Sequence, residues 1–168
     1  MANTYEAIAT VEVGSGGASY MDFTNIPQTF SDIKMVVSGR FTSNNVWLGI
    51  ELNSSTANFT AKHLQGNGSS ASSTSFTAAD TVLLIDRSTD TASTFSNGEF
   101  YIPNYAGSNY KSISVDTINE NNATTAYQGL TAYLWSNTAA ITSIRCYGQN
   151  SAVFAEYTTA TLYGIKNS

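Results

Sequence analysis

Apolar residues recur at every second position in short runs along this chain. No ten-residue stretch carries them at the i, i+3, i+4, i+7 spacing of an amphipathic helix. Thr4 to Val13 alternates, with Tyr5, Ala7, Ala9, Val11 and Val13 on one face. Ile33, Met35 and Val37 share a face of Asp32 to Thr42, and Val46, Leu48, Ile50 and Leu52 share one of Val46 to Asn53. In Asn58 to Gln65, Phe59, Ala61 and His63 stand opposite Thr60, Lys62 and Leu64. Similar runs occupy Ala18 to Thr24, Thr81 to Asp86, Phe95 to Ile102, Lys111 to Asn119, Leu130 to Trp135, Ile141 to Tyr147 and Phe154 to Ile165. Turn chemistry separates them, as at Asn25-Ile26-Pro27-Gln28, where Pro27 has no amide hydrogen to give a ladder. About ten strands with turn signals roughly every 8 to 12 residues predict an all-β fold, an antiparallel two-sheet β-sandwich that is jelly-roll-like.

The 168 residues are expected to form a single domain, 1–168, large enough to bury a core without disulfide or metal. Residues 66–80 are the longest Gly/Ser-rich stretch and read as a long surface loop. Two hairpins are expected, one joining Phe95–Ile102 to Lys111–Asn119 and one joining Leu130–Trp135 to Ile141–Tyr147. Cys146 alternates within a strand pattern and reads as a small packing residue.

Composition then narrows the function. Only 11% of residues are charged, against about a quarter in most domains, and Ser, Thr, Asn and Tyr stand in their place. The net charge of −5 and the seven scattered basic residues leave no patch to neutralise a run of phosphates, so no nucleic-acid partner is expected. No apolar run reaches the ~20 residues of a membrane-spanning helix, and the start MANTYEAIATVEV has neither a cationic leader nor an apolar core, so neither a membrane nor a secretory route is expected.

Catalysis requires matched titratable groups, and few are offered. His63 is the only histidine and reads as a strand residue. The closest carboxylate pairs, Asp86 with Asp90 and Asp116 with Glu120, read as turn acceptors or solvated rim before they read as glycosidase acids. Asp86–Asp90 and Asn119–Asn122 each offer oxygens of the kind calcium takes, but neither follows an alternating calcium-loop pattern. No catalytic residue, cofactor or metal site is expected. Ten Tyr, eight Phe and two Trp carry the better argument. Tyr101, Tyr105, Tyr110, Tyr127, Tyr133 and Trp135 fall near expected loops or strand ends, where a ring stacks on a partner while its polar edge stays wet; they are the candidate interface or ligand contacts.

Several segments together carry a resemblance. These are YMDFTNIPQTFSDIKMVVSGR (20–40), HLQGNGSSASS (63–73), YIPNYAGSNYKSIS (101–114), ENNATTAY (120–127), LWSNTAAITSI (134–144) and LYGIKNS (162–168). The chain resembles small virion structural proteins of tailed bacteriophages, including those of cyanobacterial hosts, over nearly its whole length. The resemblance implies a capsid decoration or cement protein on the outer surface of the virion, assembled in the host cytoplasm. It implies a homotrimer whose partners are itself and the major capsid protein. The alternative is a tail or fibre module that binds host-surface carbohydrate.

Overall fold

The computed structural model describes residues 4–44, 47–77, 81–123 and 126–166, with only the backbone described for 81–84. The chain is a two-sheet antiparallel β-sandwich. Its strands, in chain order, are β1 (Tyr5–Glu12), β2 (Tyr20–Phe23), β3 (Asp32–Gly39), β4 (Trp47–Leu52), β5 (Phe59–Gly66), β6 (Ala71–Thr77), β7 (Thr81–Leu84), β8 (Ser96–Pro103), β9 (Lys111–Asn119), β10 (Tyr127–Trp135), β11 (Ile144–Gly148) and β12 (Thr159–Ile165). Eight form one sheet in the order β1-β12-β3-β8-β9-β10-β5-β6, and four form the other, β2-β11-β4-β7.

The period-two pattern decides what each face does, because successive side chains point to opposite sides of a sheet. In β9 the buried residues are Lys111, Ile113, Val115, Thr117 and Asn119, and every residue between them is exposed. β10 buries Gly129, Thr131, Tyr133 and Trp135 on the same side. These inner residues meet Met21 and Phe23 of β2, Leu48, Ile50 and Leu52 of β4, and Ile144 and Cys146 of β11 in one apolar core. The Cys146 thiol lies 3.7 Å from the Met35 sulfur of the facing sheet, and burial pushes its pKa up to about 12, so it is an apolar packing group.

Three expectations change. The hairpin from Leu130–Trp135 to Ile141–Tyr147 does not form: β10 pairs with β9 and β5, and β11 pairs with β2 and β4 in the other sheet. The segment between them crosses from sheet to sheet, with the Asn53 side chain tying its backbone through the Ala140 carbonyl and the Thr142 and Ser143 amides. The Gly/Ser stretch is mostly strand, since β5 continues to Gly66 and β6 returns from Ala71, in unbroken register with it. Asn67 explains the reversal, its side-chain oxygen accepting from the amides of Ser69 and Ser70 in a compact turn. Positions 78–80 of that stretch, and Val46, lie outside the described residues. Finally, the alternation of β1 is interrupted by a register shift between Ala7 and Ala9. The hairpin joining β8 and β9 forms as expected.

Gly164 shows how tightly a loop closes over the wide sheet. A Cβ there would stand 2.4 Å from the ring of Phe30, which lies flat on the β12 backbone. Gly164→Ala is expected to destabilise the fold by about 1–3 kcal/mol. In chemical denaturation the double variant with Phe30→Ala should lose less than the sum of the two single changes, because removing the ring makes room for the methyl.

Candidate interaction face

The outer face of the eight-stranded sheet ought to be polar, because it meets water. Over β9, β10 and β5 it is not. Leu64 of β5 and Leu130 of β10 stand directly opposite each other in the ladder, each 52% exposed. Ile118 of β9 (42% exposed) is opposite Gln128 and so diagonal to Leu130, and Leu134 continues the row along β10 beyond Ala132. Four large apolar side chains on three adjacent strands make a continuous patch, the kind of surface that marks a binding site.

The patch runs into a groove of about 620 Å³, open to solvent, lined also by the β5–β6 turn and by Glu120, Ala123 and Ala126 ahead of β10. Leu64, Ile118 and Leu130 belong to both patch and groove, and Tyr127 with the polar Gln65, Asn67, Glu120 and Gln128 completes the walls. Gly66 leaves the floor open, since a Cβ there would meet nothing nearer than 3.9 Å. The patch borders Lys62 of β5, which donates to Ser75 Oγ at 2.7 Å, and the exposed Asp116 of β9. By contrast, the outer side of the small sheet is charged, with Arg145 bidentate to Asp22 (2.6 and 3.1 Å) and stacked 4.4 Å from the Tyr20 ring.

Of the six aromatic candidates, three are corrected. Trp135 and Tyr105 have no exposed surface and Tyr133 has 2%, so none has a ring free to stack on a partner. Trp135 and Tyr133 take the inner parity of β10 and pack on Phe59, while the Tyr105 hydroxyl donates to the Pro27 carbonyl. Tyr101 (38% exposed) is on the outer face of β8, opposite Ser114, and its hydroxyl donates to Asp32 at 2.7 Å; that bond to a carboxylate raises its pKa. Tyr110 is 55% exposed in the loop before β9, and Tyr127 lines the groove. The leucines escaped attention because an apolar residue among strand alternations reads as core. The available signal was GLTAYLW, in which both parities carry large apolar residues, more than one buried face needs.

Asp86, Asp90 and Asn119 come together in a different place, while Asp116 stays on the outer face of β9 and Glu120 in the groove. The Asn119 side-chain amide donates to the Asp86 carboxylate, both residues buried, while Asp90 is held by Arg87 through the backbone amide at 2.8 Å and the guanidinium at 3.2 Å. Asp86 Oδ2 and Asn119 Oδ1 have no well-formed hydrogen bond among the described residues. Arg40 fills the adjoining loop: its guanidinium donates to the carbonyls of Asp90 (3.0 Å), Thr91 (2.8 Å) and Thr94 (3.0 Å). Of the segments that read as cation ligands, only the Asp90 carbonyl belongs to this set around Arg40, and the Thr91 and Thr94 carbonyls complete it. Burial, with a smaller contribution from Asp90, raises the pKa of Asp86 against the opposing effects of Thr94, Arg40 and Asn121. Partial burial would raise Asp90 too, but its bonds to Arg87 outweigh that and lower it. His63 is buried between Thr131 Oγ1 (2.8 Å) and Gln65 Oε1 (3.2 Å), a structural position.

Comparison with known protein families, with curated proteins and with solved structures finds no match.

Because Asp86 is protonated more readily in the folded chain than in the unfolded one, its contribution to stability falls as pH rises from its ordinary 3.8 through its raised folded value. Asp86→Asn keeps an acceptor for Asn119 and removes the desolvated charge. The variant is expected to be more stable than the parent by about 1 kcal/mol at neutral pH, with the difference shrinking toward acid, as measured by urea denaturation across pH.

Proposed function

We propose that this chain is a structural subunit of a tailed-phage virion, a capsid decoration protein on the outer surface of the head. It works by buried contact and carries out no chemistry. The observation that carries this reading is the exposed row of Leu64, Ile118, Leu130 and Leu134, laid on a rigid sheet and leading into a groove. A pocket beside an apolar patch suits a partner's anchoring side chain, the arrangement that concentrates binding energy in protein interfaces. The full-length resemblance to small virion proteins supplies the partner, the major capsid protein, and the expected threefold self-association. A stable contact of this kind buries more than ~1,000 Å².

The jelly-roll expectation belongs to the same reading. In support, β2-β11-β4-β7 faces a β3-β10-β5-β6 order into which the β8–β9 hairpin is inserted, with β12 and β1 added beyond β3. Such an order is compatible with the two four-stranded sheets of a jelly roll, one of them widened.

Capsids stripped of this subunit should recover it from solution. Leu64→Ser and Leu130→Ser are expected to abolish that rebinding while changing folding stability by about 0.5 kcal/mol or less, because both side chains are half solvated already. Rebinding at parental affinity by both variants overturns the reading.

One observation favours a second reading. Tyr127 in a groove with Gln65, Asn67, Gln128 and Glu120 combines an aromatic ring with amide and carboxylate partners, the equipment of a carbohydrate site on a tail or fibre module. A glycan array separates the two: binding lost in Tyr127→Ala, with capsid rebinding absent in the parent, establishes the carbohydrate reading instead.

A further inference from the structure

Sheets end in strands whose outer amides and carbonyls have no ladder partner, and proteins ordinarily blunt such edges. Three of the four edges here are blunted. β2 and β7 are four residues long. β1 is broken by its register shift, carries Glu6 and Glu12, and has Lys166 paired to Glu6 at 2.9 Å. β6 has none of these defences: ASSTSFT is seven residues, without charge or proline, in unbroken register with β5. It is exposed throughout except at Phe76, whose ring sits against Trp47 and His63. The Asn67 turn at one end and Phe76 at the other hold it straight, so little ordering is lost when another strand adds to it.

We propose that β6 pairs with β6 of a second copy of this chain, antiparallel about Thr74, to join two eight-stranded sheets across a twofold axis. The sequence is suited to itself. Antiparallel pairing about Thr74 sets Thr74 against its symmetry mate, Ser73 against Ser75, Ser72 against Phe76 and Ala71 against Thr77. Thr and Ser facing each other are favourable cross-strand pairs, and no like charges meet. Among the described residues the nearest charge is Lys62 on β5, opposite Ser75 and hydrogen-bonded to it. The two copies of Lys62 are separated by three strand spacings, about 14 Å, beyond the screening length at physiological salt. A foreign peptide would find no charge on β6 to select it, whereas a second β6 matches the hydroxyl row in full. The contact is an isologous one and does not depend on the virion reading. Its effect there would be to place two Leu64–Leu130 patches on one continuous outer face.

The test uses the whole chain in sedimentation equilibrium. The parent is expected to dimerise with a micromolar dissociation constant. Thr74→Glu and Thr74→Lys each set like charges opposite themselves and should each weaken the dimer roughly tenfold or more, while an equimolar mixture of the two restores it as a heterodimer. Thr74 is exposed, so both variants should keep the parent's circular dichroism and denaturation midpoint. Amides of residues 71–77 should exchange more slowly as the parent concentration rises. A parent that stays monomeric, or an oligomer that neither charge disturbs, overturns the proposal. A trimer indifferent to Thr74 does so while leaving capsid rebinding, and thus the decoration reading, untouched.

Discussion

An eight-stranded sheet facing a four-stranded one is covered over only part of its width, and much of this molecule follows from that mismatch. Where β2, β11, β4 and β7 lie over it, the inner face fills with buried Ile, Phe, Met and Trp. Beyond that span something else must exclude water. On the β3–β12 side the connections do so: Ile26, Phe30, Phe41 and Phe154 belong to no strand of the sandwich, yet all are buried in its core. Phe30 lies flat on Gly164, and Phe41 stacks on Phe154 at 4.8 Å. On the other side cover thins out, and β6 is solvated on both faces. The asymmetry leaves one wing finished and the other open.

The same width explains where polar groups are buried. Lys111 begins β9 at the inner parity with no exposed surface, and its ammonium is satisfied by the carbonyls of Gly107 (2.7 Å) and Asn109 (2.6 Å), although burial lowers its pKa. At the other end of β9, Asn119 meets Asp86. A strand whose alternation runs from Lys111 to Asn119 without a break thus has an apolar middle and, at each tip, a buried polar side chain that hydrogen-bonds to a loop. Ion pairs elsewhere, such as Lys34 with Glu99 at 2.7 Å, are solvated and contribute little.

Parity was legible in the residues, and adjacency was not. Alternation in Lys111–Asn119 marked strand and face correctly, because burial on one side imposes a period of two wherever the strand sits. Nothing local in Leu130–Trp135 and Ile141–Tyr147 tells that they belong to different sheets; the β10 partners lie about 15 and 70 residues away along the chain, and their choice is made by the packing of the whole. Trp135 illustrates the cost. Proximity to a turn suggested exposure, while its parity with Tyr133 placed it inward. The Gly/Ser stretch misled for the opposite reason: Ser and Thr suit a solvated edge strand as well as they suit a loop, and only the register with Phe59–Gly66 decides. The apolar outer face lay in plain view in GLTAYLW, but it acquires meaning only when Leu64 is seen beside Leu130.

The loop closed around Arg40 bears on how this chain keeps its shape. β-Sandwich loops of this oxygen-rich kind are often ordered by a dissociable metal ion, and then they depend on the medium for it. Here the positive charge is covalently part of the chain. The turn from Arg87 to Thr94 is therefore organised by side chains of the chain itself, Arg40 from outside the turn and Asp90 from within it.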